Sequence, residues 1–145
     1  MIAVDTNVVL RYLLQDDAGQ SWKASKFFEG AEKVLLTDVV LVETVWTLRG
    51  KRYQLSKEAL VGVLHSLIEE PNVVFEDGQA VWCALNDYTN ARPVKVGGKT
   101  KQADFADALI VNKSLRQRSH GASPASPMYT FDKAALEIEG TREPE

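Results

Sequence analysis

Five carboxylates of this chain stand at positions that invite chemistry: Asp5, Glu43, Asp104, Asp107 and Asp132. Glu43 is the only charged side chain between Val39 and Leu48. The helix predicted there carries Val39, Val42 and Trp46 on the same side, so Glu43 is expected to be buried. Burying an unpaired carboxylate is costly. Either a base such as Arg11 or Arg49 pairs with it, or a cation does. Asp104 and Asp107 are spaced i, i+3, which puts both on one helix face, where like charges disfavour the helix. Asp104 also suits a helix N-cap, as do Asp5 and Asp132. Asp107 falls in the first helical turn, among the core-type residues Ala106, Ala108, Ile110 and Val111. Four carboxylates from four separate elements would repel one another unless something offsets the charge. A hard divalent cation with oxygen ligands, Mg²⁺ or Mn²⁺, suits such a set without His or Cys. It can polarise a phosphodiester, lower the pKa of a bound water and stabilise a leaving oxygen.

Composition narrows the alternatives. The chain has 145 residues, 17 Lys+Arg and 20 Asp+Glu, for a net charge of −3. That length holds one domain with a real core. Hydrophobic residues at 45% and charged residues at 26% match an ordinary globular protein rather than a disordered one. The lone Cys83 excludes an internal disulfide framework and a cysteine zinc site. His65 and His120 stand far apart without Cys partners, which argues against a His-rich metal site. No apolar run approaches the roughly 20 residues that span a bilayer, so no membrane association is expected. The first residues lack the basic region of a signal peptide, and the expected compartment is the cytoplasm.

The elements that must position these acids follow from the apolar pattern. Ile2-Ala3-Val4 reads as a buried strand that stops at Asp5-Thr6-Asn7, three good N-cap types, before a helix through Val8 to Leu14. A second helix is expected over about 18–31, with Trp22, Phe27 and Phe28 inward. Val34-Leu35-Leu36 is a strand, and Thr37 can cap the helix bearing Glu43. Ser56 starts another helix with an apolar stripe through Leu60, Leu64 and Leu67, stopped by Pro71. Val73-Val74-Phe75 is a third strand, followed by a helix from about Asp77. Residues 92–101 read as a loop, and a nearly all-round apolar helix follows from Phe105. A low-complexity connection over 119–127 leads to a fourth strand at Met128-Tyr129-Thr130-Phe131. Short apolar strands alternating with helices predict an α/β protein, a three-layer α/β/α sandwich around a central, mainly parallel sheet of four or five strands. Residues 1–139 form the single expected domain and 140–145 a frayed tail. In such a fold the strand C-terminal ends share one edge, where ligands bind. Asp5 and Asp132 each follow a predicted strand directly.

The ordered set of motifs resembles one family. Val4-Asp5-Thr6-Asn7-Val8-Val9-Leu10-Arg11-Tyr12-Leu13-Leu14 resembles the opening of PIN-domain ribonucleases, in particular VapC-type toxins of toxin–antitoxin pairs. Val42-Glu43-Thr44-Val45-Trp46-Thr47-Leu48 is similar to the family's second acidic motif. Asp104-Phe105-Ala106-Asp107-Ala108-Leu109-Ile110 is similar to its third, and Thr130-Phe131-Asp132 to its last. The resemblance implies a PIN fold and Mg²⁺- or Mn²⁺-dependent cleavage of single-stranded or looped RNA. It implies an acidic triad of Asp5, Glu43 and Asp107, with Asp132 as a fourth catalytic member and Asp104 as the least secure metal ligand. Thr6 and Asn7 would hold Asp5 and its turn. Thr130 would hydrogen-bond a carboxylate or a water on the ion. It also implies a small antitoxin partner that covers the site and a homodimer of this chain. The basic insert before Asp104 and the Ser/Pro-containing stretch before Met128 depart from the family pattern and concern the substrate-facing loops.

Charge distribution points the same way. Between Tyr88 and Phe131 seven bases, Arg92, Lys95, Lys99 and Lys101 among them, face two acids, for a local charge of +5 against −8 elsewhere. Such asymmetry suggests a polyanion on one side, while any single lysine there reads as solvated surface. Arg11, one turn beyond Asp5, could face phosphate or Glu43. Gly98-Lys99-Thr100 imitates the end of a P-loop, but Pro93 stands where that motif needs glycine. Trp22, Trp46 and Trp82 sit at helical spacing expected of core packing. Two other readings compete. A phosphatase or phosphotransferase could use Asp5 as nucleophile, although Asn7 stands where its second acid would be. A non-catalytic RNA-binding domain would not need Glu43 and Asp107 to be acidic.

Overall fold

Side chains that accept hydrogen bonds from the third residue onward mark the helix starts. Asp5 accepts from the Val8 N–H at 3.0 Å, Asp17 from Gln20 at 2.9 Å, Thr37 from Val40 at 3.4 Å and Ser56 from Ala59 at 3.2 Å. Each satisfies one of the donors that a helix start leaves orphaned. The computed structural model describes residues 1–119 and 126–145. His120 and most of the connection expected over 119–127 lie outside the described residues. The chain divides into two compact units, Met1–Gly78 and Gln79–Glu145.

The first unit runs β1 (Ile2–Ala3), α1 (Thr6–Leu14), α2 (Ala18–Phe28), β2 (Val34–Leu36), α3 (Asp38–Arg49), α4 (Lys57–Glu69) and β3 (Val73–Phe75). The strands form a parallel sheet in the order β1-β2-β3, with Ile2 opposite Val34 and Val34 opposite Val73. Val34 and Leu36 are fully buried, as expected of a central parallel strand. Strands added in one direction by right-handed crossovers place both connections on one face of the sheet. The core is built from Val9, Phe28, Leu41, Leu48, Leu60 and Leu64, all essentially inaccessible. Tyr12 stacks on Phe28 with ring centroids 4.0 Å apart and donates its hydroxyl to Glu70, so α1 is tied to α2 and to the end of α4. Burial, with Glu70 adding to it, pushes the Tyr12 hydroxyl up to about 12. Asn72, just before β3, donates to the carbonyls of Phe28 and Gly30 and closes the end of α2.

The second unit contains α5 from Gln79 onward (Gly78–Asn90 in full), β4 (Val94–Val96), β5 (Lys99–Lys101), α6 (Phe105–Ser119), β6 (Met128–Tyr129), a 3-10 turn at Ala135–Glu137 and β7 (Thr141–Arg142). Tyr88 meets Phe105 edge to face at 6.2 Å, and Asn112 donates to Asp87 at 2.8 Å, so α5 and α6 are locked together. β6 and β7 pair in parallel, with Met128 opposite Thr141. Gly140 precedes β7 at φ 93°, a backbone conformation that favours glycine, and packs close to the Leu115 side chain of α6.

The chain is therefore a mixed α/β protein with short parallel strands. The described sheets have three, two and two strands, not the single sheet of four or five expected. Of the loop expected over 92–101, residues 94–101 instead form the β4–β5 hairpin, turned by Gly97 at φ 58° and Gly98 at φ 78°. Two consecutive positive φ values are what a tight two-residue hairpin turn requires. The tail is not frayed at Thr141–Arg142, which pair as β7, and Glu143 forms an ion pair with Lys133. Among the described residues no helix is long and apolar enough to cross a membrane.

Candidate functional site

In the second unit the start of α6 explains the Asp104/Asp107 spacing. Asp107 N–H donates to Asp104 Oδ1 at 2.8 Å, and Asp104 N–H donates to Asp107 Oδ2 at 3.0 Å. This is a reciprocal capping box, in which each acid satisfies the backbone donor of the other. Asp104 is thus the helix cap that one sequence reading allowed. The box does not discharge the electrostatic strain. Burial raises the Asp107 carboxyl from its ordinary 3.8 to about 6, and the neighbouring charges of Asp104 and Asp132 push in the same direction. Asp132 Oδ1 accepts from the N–H groups of Ala134 at 2.9 Å and Ala135 at 3.2 Å. The Thr130 hydroxyl accepts from the Asp132 N–H at 3.0 Å, so Thr130 shapes the turn that presents Asp132.

In the first unit Asp5 is exposed at the start of α1, one residue after buried Val4. Its anchor is the Val8 N–H. The expected support from Thr6 and Asn7 is not found: among the described residues neither side chain hydrogen-bonds to Asp5. Asp5 lines a cleft of about 300 Å³ between α1 and α2, with Asn7, Val8, Arg11, Gln20, Lys23, Ala24 and Phe27. Arg11 does not reach Glu43. Its Nη1 contacts both Asp16 oxygens at 2.8 and 2.9 Å, and its Nε donates to Gln20 Oε1 at 2.9 Å. The Asp16 carboxylate raises the Arg11 pKa, and Arg11 in turn lowers that of Asp16. The arginine is thereby held as a brace between α1 and α2.

Glu43 is exposed, which corrects the burial expected from its apolar neighbours. Val39 and Trp46 on either side of it are 66% and 51% exposed, because α3 buries Leu41, Thr44, Val45 and Leu48 instead. Among the described residues Glu43 has no ion pair. Trp22 and Trp82 are likewise about half exposed rather than core, and Phe27 also faces solvent. Lys26 lies over the Trp22 ring at 3.4 Å.

The donor chemistry fits a hard cation. Asp5 and Asp132 each commit one carboxylate oxygen to backbone N–H groups and keep the other without a protein donor among the described residues, while Asp107 shares its carboxyl with both the backbone and the side chain of Asp104. The described residues nevertheless gather no group of three or more His, Cys, Asp or Glu placed to hold a metal ion. The structure thus groups Asp104, Asp107 and Asp132 within one unit and places Asp5 and Glu43 in the other. Glu76, which directly follows β3 and accepts from the Asp38 N–H at 3.3 Å, is a further acid at the sheet edge that carries Asp5. Its position after a strand, like that of Asp5, was the available signal. Lys23 and Phe27 in the cleft had no such signal, because helical spacing alone does not tell an exposed face from a buried one.

The cationic residues Arg92, Lys95, Lys99 and Lys101 are all exposed on or beside the β4–β5 hairpin. Lys95 faces Thr100 across the ladder, while Lys99 and Lys101 stand opposite Val96 and Val94. Lys99 and Lys101 therefore share one face and Lys95 takes the other. Among the described residues none of the four forms an ion pair. The Gly98-Lys99-Thr100 sequence is part of this hairpin, with no helix behind it to make a phosphate loop.

The raised Asp107 carboxyl has a measurable consequence. The folded chain holds this proton more tightly than the unfolded chain, so the contribution of Asp107 to stability is fully present below about pH 4 and is lost as pH rises through about 6. Asp107→Asn removes that fall. In urea unfolding with EDTA at pH 7.5 the variant should be more stable than wild type by about 1 kcal/mol, after discounting for half exposure, and the gain should vanish near pH 4. A variant less stable at pH 7.5 would contradict this account. Compared with known proteins, the chain matches no family model and no curated protein.

Proposed function

We propose that this chain is a metal-dependent endoribonuclease of PIN-like fold, with a three-layer arrangement around a mainly parallel sheet. Asp5, Glu43, Asp107 and Asp132 are its catalytic acids, and Asp104 is a further metal-ligand candidate. The observation that carries the reading is the strained carboxyl of Asp107 between Asp104 and Asp132, a local excess of negative charge that a divalent cation would relieve. Bound there, Mg²⁺ or Mn²⁺ would polarise the scissile phosphodiester and ease ionisation of the attacking water. The backbone N–H groups of Val8, Ala134 and Ala135 orient Asp5 and Asp132 without consuming both oxygens. The basic hairpin supplies phosphate contacts that fix the strand without reading its sequence. By resemblance, the protein acts in the cytoplasm as the toxin of a toxin–antitoxin pair, as a homodimer covered by its antitoxin.

A phosphatase using Asp5 as nucleophile is less well supported, since Asn7 offers no acid beside it.

Wild-type protein should cleave single-stranded RNA in Mg²⁺ or Mn²⁺ and stop in EDTA. Asp5→Asn and Asp107→Asn should each lower the rate by at least about a hundredfold, in the range of general acid–base and electrostatic contributions. Cleavage by Asp5→Asn at the wild-type rate would remove the nuclease reading, and an acyl-phosphate on Asp5 would replace it with the phosphatase one.

Replacing Lys95, Lys99 and Lys101 together by Ala tests the hairpin. The slope of log K against log salt for single-stranded RNA should flatten by about 2, from about 0.7 per lost phosphate contact. An unchanged slope would place RNA elsewhere.

A further inference from the structure

We infer that the α1–α2 cleft is a base-reading subsite, which takes the nucleotide next to the cleaved phosphate. The inference rests on the ribonuclease reading and extends it to substrate selection. The cleft begins at Asp5, one of the proposed catalytic acids, and its volume of about 300 Å³ suits one nucleotide. Its floor is apolar, formed by Val8 and buried Ala24. Its wall carries the three kinds of group that a nucleotide needs. The Phe27 ring, 44% exposed, offers a stacking face, whereas the nearby Trp22 ring is already covered by Lys26. Lys23 is exposed and has no ion pair among the described residues, so its charge is available to a phosphate.

The side-chain amides of Asn7 and Gln20 complete the set. Gln20 Oε1 is occupied by Arg11 Nε at 2.9 Å, which fixes the amide and leaves its NH₂ without a protein acceptor among the described residues. Asn and Gln amides are the groups that pair with base edges. Arg11, bound to Asp16 and Gln20, braces the pocket. Lys23 makes the rim cationic, which favours a phosphate-bearing occupant.

Two measurements separate this inference from the nuclease assignment. The first is a titration of ¹⁵N-labelled full-length protein in EDTA with short single-stranded oligoadenylate and oligouridylate. The backbone amides of Gln20, Lys23 and Phe27 should shift on binding, with or without cleavage activity. Amides that stay unmoved, as in a cleft reserved for a protein segment, would overturn the inference. The second is cleavage mapping on total RNA with Phe27→Ala, Phe27→Tyr and Lys23→Ala in Mg²⁺. Phe27→Ala should lose about tenfold in kcat/KM, the size of one base–aromatic stack, and should relax the preference at the nucleotide beside the cut. Phe27→Tyr should restore both, and Lys23→Ala should lower kcat/KM while keeping the preference. An unchanged map and rate in Phe27→Ala would overturn the subsite while leaving the nuclease intact. Amide shifts without cleavage in wild type would remove the nuclease and keep the base-binding cleft.

Discussion

A helix begins with backbone N–H groups that nothing within the helix accepts, and this chain answers that demand repeatedly with aspartates. Asp5 caps α1, Asp17 caps α2, Asp104 and Asp107 cap α6 together, and Asp132 closes the turn before the 3-10 segment. The positive end of the helix dipole favours negative charge at these points. It lets the fold keep acids in fixed orientations without an arginine or lysine on each. Asp107 marks the limit of this device. Its burial and its acidic neighbours outweigh the backbone donor, and the carboxyl is left holding its proton far more tightly than usual. The proposed chemistry depends on that surplus of negative charge, because only an acid held in place and incompletely compensated has reason to recruit a cation.

Much of the positive charge of the second unit stands on an element of its own, a few residues before Asp104. The cations of residues 92–101 are raised on a hairpin with its own turn glycines, and they are not spent on ion pairs among the described residues. Arg11, by contrast, is fully engaged with Asp16 and Gln20. One set of bases is thus structural, and another has no ion pair among the described residues. Formal net charge, −3 overall, reveals neither role.

What the sequence made legible was governed by short-range physics. Caps at Asp5, Thr37, Ser56 and Asp104 were readable because their side chains act within three or four residues. The three strands of the first unit were readable because each is a short apolar run between helical patterns. Glu43 was misjudged because α3 is apolar nearly all round. Spacing alone cannot choose which side faces the core, and the fold chose Leu41, Val45 and Leu48 over Val39 and Trp46. Trp22 and Phe27 on α2 were misplaced for the same reason. The hairpin at 94–101 resembles a loop in sequence because its strands are three residues each and rich in Lys, although the Gly97-Gly98 pair carries the turn signal. The i, i+3 acids were noticed for their repulsion, while their mutual backbone bonds, which account for the spacing, require the helix start to be seen.

The claim that a divalent cation answers the charge around Asp107 can be tested on that one side chain. Following the Asp107 carboxyl carbon by NMR across pH, without and with saturating Mg²⁺, reports its proton affinity directly. The account predicts a midpoint near 6 in the absence of metal and a clear downward displacement when Mg²⁺ is present. A midpoint that Mg²⁺ leaves unmoved would show that the acids of α6 serve only to start their helix.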